Sequence, residues 1–326
     1  MSEEDFDEVK WSMEMGSLFY GDTDGSFFKL ADIANRRKLK TAIYPPSTIP
    51  SKTYKVPDLV PNERRILSVD VALMATKKYK NDASAIIINS AIPTNDNNYI
   101  ANIVYMENHE GLNTSELALV IRRLYKIYKC TDLVIDSLGA GLGVYDLLVQ
   151  DMVDPETGEL YQALSCYNDE AMAERCKVDG APKEIWSIKG NASFNNEICI
   201  LLRNGFKTGR INLLVPEDPD ADDILKKKIS GYSKMTEQEK IVYKMPYIQT
   251  SLLVNELVKL EYEIKGTNIK IKERSGMRKD RYSSLAYNYW VQCQLERELL
   301  HKANVGFDIQ QYAAKMSKLN HRPTMY

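Results

Sequence analysis

Three apolar segments rich in β-branched residues constrain the fold of this chain more than any other feature. They are RRILSVDVAL (64–73), ASAIIINSAI (83–92) and YIANIVYMEN (99–108), and short polar stretches separate them. Segments of this composition and length favour strands, and tight connections let neighbouring strands pair antiparallel. The sequence therefore predicts an antiparallel three-stranded meander that carries Asp70 in its first strand.

An amphipathic helix is expected next, followed by another strand. Apolar residues recur at steps of three and four across 113–129, with Asn113 or Thr114 available as the N-cap. The segment TDLVID (131–136) is typical of a buried strand, and it ends on Asp136. A helix between two strands of one sheet gives right-handed parallel pairing. We therefore expect an α/β fold with a mixed central sheet, antiparallel at first and then parallel, flanked by helices.

The remaining segments continue this alternation. They predict a strand at 186–190, a helix at 191–205, a strand at 210–216, helices at the two ends of 217–266 with a possible hairpin at 230–245 between them, a strand at 268–273 and a long helix at 280–299. Residues 1–60, with a helical pattern near 28–38 and a proline-bearing connector at 44–61, resemble an arm or linker. We predict a folded domain at 61–300 and a polar tail at 301–326, disordered in isolation.

Composition excludes some classes of site. The chain of 326 residues has five scattered cysteines, none in a CxxC pair, and three histidines. Reduced thiols are therefore expected, and a metal site would have to use oxygen ligands. A net charge of −2 does not mark a nucleic-acid-binding protein. The lack of a long apolar run and the acidic N-terminus predict a cytosolic protein without a membrane span.

Aspartates lie where such an oxygen site could form. If the strands of Asp70 and Asp136 are parallel neighbours, both acids emerge at one edge of the sheet. A carboxylate among aliphatic residues is costly to bury unless it is paired or bound to metal. Asp280 begins the last long helix, and Asp82 lies in the loop before the second strand. Each also has an ordinary explanation, as a turn acid or, for Asp280, an acid stabilised by the helix dipole.

Hydrolysis of a phosphodiester is the chemistry that this set of acids suits. Two divalent ions roughly 3.5–4 Å apart can activate water and stabilise the leaving oxygen. Mg²⁺ and Mn²⁺ prefer carboxylate oxygens, so such a site needs about three converging acids. We therefore predict Asp70, Asp136 and Asp280 as catalytic ligands of Mg²⁺ or Mn²⁺, with Asp82 as a weaker fourth ligand.

A basic stretch at 270–281 holds six cations against two acids. Such a stripe can contact phosphates of double-stranded DNA. The predicted DNA-binding residues are Lys270, Lys272, Arg274, Arg278, Lys279 and Arg281. A solvated strand and helix start is the alternative, because charge runs are common on protein surfaces.

Glycines at 139, 141 and 143 follow the second acid. They are not a Walker A loop, because no Lys-Ser or Lys-Thr follows them. We expect them to allow a tight turn from strand to helix beside Asp136, open to a bulky substrate.

The order of these motifs resembles the nuclease domain of the large terminase subunit of tailed bacteriophages. The motifs are SVDVA, LVIDSLGAGLGVYDLL and RKDRYSSLAYNYW, and the resemblance spans about residues 61–298. It implies an RNase H-like fold, metal-ligand roles for Asp70, Asp136 and Asp280, and a match of Asp82 to an acid that the family often carries. It further implies cleavage of concatemeric viral DNA during packaging, in the cytoplasm of an infected bacterial host.

The resemblance also implies partners. They are an ATPase motor domain, a small terminase subunit and a portal protein. The motor is not part of this sequence, which leaves open a cloned fragment, a split gene product and a processed piece. Met277 and Lys279 stand where many relatives have a histidine and an acid. Lys279 is hypothesised to offset charge near the scissile phosphate.

Two other functions fit the same residues. One is another RNase H-like nucleotidyl transferase, such as a transposase or junction resolvase, which would be expected to carry a sequence-reading module. The other is a catalytically silent module that docks DNA or a portal protein, with the acids in structural roles. Metal-dependent nicking of DNA would separate an enzyme from the silent module.

Overall fold

An eight-stranded sheet lies at the centre of the fold. The computed structural model describes residues 26–49, 54–72, 83–273 and 278–319, with side chains as far as His301. The strands are β1 (Arg37–Leu39), β2 (Arg64–Asp70), β3 (Ala83–Pro93), β4 (Tyr99–Glu110), β5 (Asp132–Asp136), β6 (Met152–Val153), β7 (Leu160–Tyr161), β8 (Ser165–Cys166), β9 (Lys183–Ile188), β10 (Ile211–Leu214), β11 (Glu261–Lys265) and β12 (Asn268–Lys272). The helices are α1 (Leu30–Ala34), α2 (Thr114–Ile127), α3 (Ala140–Leu148), α4 (Glu170–Ala173), α5 (Ala192–Thr208), α6 (Asp222–Lys228), α7 (Glu237–Lys259) and α8 (Asp280–Leu319).

The strand order confirms the predicted α/β class with a mixed, RNase H-like central sheet. Within the described ranges the order is β1-β10-β4-β3-β2-β5-β9-β8, and β6-β7 and β11-β12 form separate two-stranded sheets. β2 pairs with β3, and β3 with β4, both antiparallel. β5 then pairs with β2 and with β9 in parallel. The sheet therefore begins as a meander and continues with parallel strands, as the sequence predicts.

Helices cover both faces of the sheet, and the alternation of side chains in β2 shows this directly. Ile66 packs in the cluster formed with α5, α7 and α8, whereas Leu67 and Val69 pack in the cluster formed with α2 and α3. β5 alternates in the same way, with Val134 on the α8 side and Ile135 on the α2 side. Since side chains of a strand alternate between faces, even-numbered residues of both strands face α8.

Helix ends follow the capping chemistry predicted for α2 but not for α5. Asn113 accepts hydrogen bonds from the first turn of α2, which confirms it as the N-cap. α5 continues past Gly205 and ends at Thr208, and the Gly209 that caps it has a φ of +77°, which suits glycine. Gly205 lies against α8, because a Cβ there would be 2.6 Å from the ring of Tyr289. That glycine serves helix packing, and the predicted end of the helix at 205 was wrong.

The prediction of a hairpin at 230–245 is also wrong, because a helix begins within that segment. Thr236 and Glu239 form a capping box, in which each side chain accepts from the other's backbone N–H, and α7 begins at once. A helix is expected at the end of 217–266, but α7 ends at Lys259 and β11 follows. The strand predicted at 268–273 is present as β12, paired antiparallel with β11.

Parts of the chain at both ends join the folded body. Phe27 and Phe28 are buried in the core, and β1 pairs with β10 at the edge of the sheet. At the other end, α8 continues through Leu319, where the sequence shows no clear period. The division at residues 60 and 300 stays a prediction. No helix in the described part of the chain combines the length and apolar character needed to cross a membrane.

Candidate active site

Asp70 and Asp136 lie at the carboxyl ends of adjacent parallel strands. β2 and β5 pair with Val69 opposite Ile135, and each aspartate is the next residue of its strand. Both positions face α8, since they share the alternation of Ile66 and Val134. The register therefore brings the two acids to one edge of the sheet, as parallel pairing predicts.

Asp280 reaches the same edge from α8, whose first residue it is. One of its carboxylate oxygens accepts a hydrogen bond from the backbone N–H of Ala83 at 3.4 Å. Ala83 begins β3, and Ala85 in that strand lies opposite Asp70. Three acids that are far apart in the sequence thus meet at one end of β2.

The pKa of Asp70 responds to the charges of the other two acids. Its pKa is raised to about 8, first by burial and then by the charges of Asp280 and Asp136. A hydrogen bond from Ser283 and the charge of Lys279 act in the opposite direction. Like charges near a buried carboxyl disfavour its ionisation, and a bound cation would favour it.

Asp136 is held by the turn that follows it. Burial raises its pKa, and a hydrogen bond of 2.9 Å from the backbone N–H of Leu138 opposes that shift. α3 begins so close to β5 that a Cβ on Gly141 would lie 1.7 Å from the carbonyl oxygen of Asp136. Gly139 has a φ of +54°, which favours glycine. The predicted tight turn beside Asp136 is therefore present.

Two residues of α8 that the sequence did not single out also face the acids. Ser283 bonds to Asp70. Burial raises the pKa of Tyr287, and the nearby charges of Asp70 and Asp136 add to that shift. They lie three and seven residues after Asp280, on one face of a helix. That spacing is the signal that would have found them.

Arg281 has a structural role instead of the predicted DNA contact. It is 7% exposed, and its guanidinium pairs with Glu256 and donates to Gln249 at 2.9 Å. Glu256 also accepts the backbone N–H of Tyr282 at 3.2 Å, and burial raises its pKa to about 7 although Arg281 opposes the shift. A guanidinium held in a buried ion pair is not available to phosphate oxygens, which corrects the prediction.

The other basic residues lie nearer the surface. Lys270 is exposed on β12, and Lys272 beside it pairs with Glu263. Arg278 pairs with Glu110 at 2.7 Å, and Lys279 lies 3.8 Å from Glu273. Two predicted residues, Arg274 and Asp82, fall outside the described residues.

The donor set suits a hard divalent cation. It consists of carboxylate oxygens only, and repulsion among them adds to the effect of burial in raising the pKa of Asp70. Among the described residues, however, no three histidine, cysteine, aspartate or glutamate side chains are already arranged to hold a metal ion. The chemistry of the acids fits a metal, and their ligand roles stay a prediction.

Fold and acids together define an α/β protein with an acidic site at the carboxyl ends of its parallel strands. No protein-family model and no curated protein matches the chain. Among solved structures, it is similar to the large terminase nuclease from thermophilic phage G20c with bound magnesium, at 14% identity and a TM-score of 0.43, over 82% of this chain and 97% of that one. It is also similar to the large terminase of bacteriophage HK97, at 9% identity and a TM-score of 0.41, over 89% of this chain and 50% of that one.

Proposed function

We propose that this protein is a metal-dependent DNA endonuclease of the terminase type. The observation that carries the proposal is the convergence of Asp70, Asp136 and Asp280 at one end of β2. A carboxyl whose pKa is raised to about 8, first by burial and then by the charges of two further acids, is costly for a protein to keep in a purely structural role.

Asp70, Asp136 and Asp280 would hold Mg²⁺ or Mn²⁺, with two ions as the finer proposal and Asp82 as an additional ligand. A divalent ion bound there supplies charge stabilisation and an activated water for phosphodiester hydrolysis. The protein's own groups orient the acids: Ser283 bonds to Asp70, and the N–H groups of Leu138 and Ala83 bond to Asp136 and Asp280.

The basic residues beside this edge would contact the DNA backbone. Lys270, Lys272, Arg278 and Lys279 are the described candidates, and Arg274 is carried by the sequence alone. Several of them pair with exposed or half-buried acids, which phosphates can replace as partners at small cost because surface ion pairs contribute little.

The biological setting is a further part of the proposal. By the motif resemblance, the substrate is concatemeric viral DNA cut during genome packaging in the cytoplasm of an infected bacterium. The partners would be an ATPase motor domain, a small terminase subunit and a portal protein.

A plasmid-nicking assay tests the proposal. Supercoiled plasmid is incubated with the protein and MgCl₂, MnCl₂ or EDTA, using wild type and the single variants Asp70→Asn, Asp136→Asn and Asp280→Asn. We expect metal-dependent nicking by wild type and losses of about 100-fold or more in the variants. Asp223→Asn, at an exposed helix position, is the matched control and should cleave normally. Absent or metal-independent cleavage by the folded wild type would contradict the proposal.

A catalytically silent DNA-docking module is the second candidate. It is favoured by the lack, among the described residues, of a ready group of three metal-binding side chains. Such a module would bind DNA without nicking it under any metal condition. A transposase-like or resolvase-like enzyme would instead show strong sequence or junction selectivity in the same assay.

A further inference from the structure

Leu138 is an exposed apolar residue at the edge of the sheet that carries the acids. Its side chain is 49% exposed, and it follows Asp136 by two residues. Among the large apolar residues that are exposed in the described part of the chain, it is the one within two positions of Asp70, Asp136 or Asp280. A single exposed leucine is ordinary on a protein surface, so the position of Leu138 is what points to a use.

The backbone of Leu138 lies against the carboxylate of Asp136. Its N–H donates a hydrogen bond of 2.9 Å to Oδ1 of Asp136. Because an N–Cα bond is about 1.5 Å long, the Cα atom of Leu138 lies within about 4.4 Å of that oxygen. The side chain therefore starts beside a group that would hold a divalent ion and, through the ion, a phosphate of the substrate.

The turn that carries Leu138 is held on both sides. The carbonyl oxygen of Leu138 accepts a hydrogen bond from the N–H of Gly141 at 3.1 Å. Just before it, the N–H of Ser137 donates to the carbonyl oxygen of Ile188 at 2.9 Å, and the hydroxyl oxygens of Ser137 and Ser187 are 2.6 Å apart. The backbone of Leu138 thus has little freedom to carry the side chain away from the acids.

An apolar side chain at this place has few apolar partners on a nucleic-acid duplex. The phosphate oxygens are polar and the base faces are stacked on each other, whereas the C2′ carbon of deoxyribose, next to the ester carbon C3′, is apolar. In RNA that carbon carries a hydroxyl, the group by which proteins tell RNA from DNA. A hydroxyl pressed against leucine loses water without gaining a hydrogen-bond partner, which is unfavourable. Contact with deoxyribose removes apolar surface from water without that cost.

We propose that Leu138 packs on the deoxyribose beside the scissile phosphate and disfavours a ribose there. Leu138 is thus a specificity residue, which favours DNA over RNA by excluding the 2′-hydroxyl. This inference rests on the proposed nuclease function, because a phosphate must bind at the acids for its sugar to reach Leu138.

Two duplexes of one sequence test the proposal, one of DNA and one in which the labelled strand is RNA. Cleavage of the labelled strand is measured with MgCl₂, MnCl₂ or EDTA, and the ratio of kcat/KM for DNA to that for the hybrid is compared between proteins. Leu138→Gln should lower this ratio about five- to twentyfold, because its amide can bond the 2′-hydroxyl. Leu138→Met stays apolar and should keep the wild-type ratio. Val242→Gln, an apolar-to-amide change at a 52% exposed position of α7, is the control and should also keep it.

Binding gives a second readout that does not need cleavage. With CaCl₂ in place of MgCl₂, fluorescence anisotropy gives the Kd of each duplex, and Leu138→Gln should lower the preference for DNA in the same direction. Circular dichroism checks that each variant is folded. Leu138→Thr repeats both measurements with a second polar residue.

Failure of this inference and failure of the nuclease function give different results. If the wild type cleaves neither duplex with either metal, the nuclease function fails, and the binding ratio alone then decides on Leu138. The inference on Leu138 is overturned if the wild type cleaves both duplexes equally well, or if folded Leu138→Gln and Leu138→Thr keep the wild-type ratios in cleavage and in binding. A loss of DNA preference in Leu138→Met equal to that in Leu138→Gln would also contradict it, because polarity would then not matter.

Discussion

The side-chain amide of Asn89 in β3 donates a hydrogen bond of 2.9 Å to the side-chain oxygen of Asn288 in α8, and both residues are fully buried. Asn288 in turn donates to the carbonyl oxygen of Ile66 at 3.1 Å. It belongs to a polar stripe on one face of α8, whose members follow each other at steps of four: Asp280, Ser284, Asn288, Gln292 and Glu296.

This stripe fixes the position of α8 along the sheet. The hydroxyl oxygens of Ser284 and Ser68 are 3.0 Å apart, within hydrogen-bond distance, and the side-chain amide of Gln292 donates to the carbonyl oxygen of Tyr99 at 3.2 Å. Buried polar groups have hydrogen-bond partners when the helix lies in one register on the sheet and lack them in any other register. The stripe therefore sets where Asp280, its first member, lies relative to Asp70.

Replacing Asn288 tests this role. Asn288→Leu should lower the free energy of unfolding by about 1–3 kcal/mol, because Asn89 and Ser68 lose a buried partner. It should also reduce metal-dependent nicking by at least the fraction of the protein that no longer folds. Urea unfolding measures the first effect, and Arg297→Ala, at an exposed position of the same helix, is the control. Unchanged stability and unchanged nicking would show that the stripe does not position α8.

The glycine turn after Asp136 gives a second prediction. Gly141→Ala should destabilise the protein by about 3 kcal/mol or more, since the added Cβ would collide with a backbone oxygen that cannot move freely. Gly143→Ala is the matched control: its Cβ would lie 3.3 Å from a methyl group of Thr114, and alanine favours the helix. Thermal melting compares the two variants, and equal stabilities would contradict the close approach of α3 to β5.

The raised pKa of Asp70 predicts a pH dependence of stability in the metal-free protein. Between about pH 4 and pH 8 the carboxyl is protonated in the folded state and ionised in the unfolded state, so the wild type loses stability as pH rises. Asp70→Asn lacks this loss. The difference in free energy of unfolding between Asp70→Asn and wild type should therefore grow in favour of the variant, by up to about 1.4 kcal/mol per pH unit, and level off above about pH 8.

Urea unfolding in EDTA across this range measures that difference. Asp223→Asn, whose carboxyl is exposed, should keep a constant difference from wild type. A flat difference between Asp70→Asn and wild type would show that Asp70 does not share a buried site with Asp136 and Asp280.

The basic residues should separate into two groups by the salt dependence of DNA binding. Lys270→Ala should reduce the slope of log K against log salt by about 0.9, the effect of one lost phosphate contact. Arg281→Gln should leave the slope unchanged and lower stability by about 3–5 kcal/mol, because Glu256 loses its buried partner. Fluorescence anisotropy on a DNA duplex measures the slopes. A reduced slope for folded Arg281→Gln would show that Arg281 contacts DNA after all.

Lys279 is expected to act at the reacting end of the site. Its charge opposes the raised pKa of Asp70, and Lys279→Ala should slow nicking about tenfold or more by removing a cation near the developing charge. Lys207→Ala, a lysine in the last turn of α5, should nick at the wild-type rate. Unchanged cleavage by Lys279→Ala would end this hypothesis.

The sequence predicts the elements whose signals are local. The meander, α2 with its Asn113 cap and the parallel pairing of β5 follow from periodicity and connection length. The sequence-based prediction fails where an element's neighbours decide. Gly205 remains helical because Tyr289 packs on it, and α7 begins in a segment whose turn residues favoured a hairpin.

The same division applies to the site. Asp70 and Asp136 could be placed together from strand topology alone, because parallel neighbours share an edge. The burial of Arg281 could not be predicted, since it depends on the docking of α8 against Glu256 of α7. Ser283 and Tyr287 could be predicted from their helical spacing to Asp280, but only once it is known which face of α8 packs against the sheet.

The placement of α8 has a consequence for how the protein matures. Asp70 and Asp136 come from β2 and β5, which are synthesised before α8, whereas Asp280 is delivered by α8 itself. The three acids come together only after α8 has left the ribosome and its polar stripe has found its register. An interrupted chain that ends before residue 280 therefore lacks a complete acid cluster, so the proposed cutting activity is withheld until folding of the whole sheet is finished.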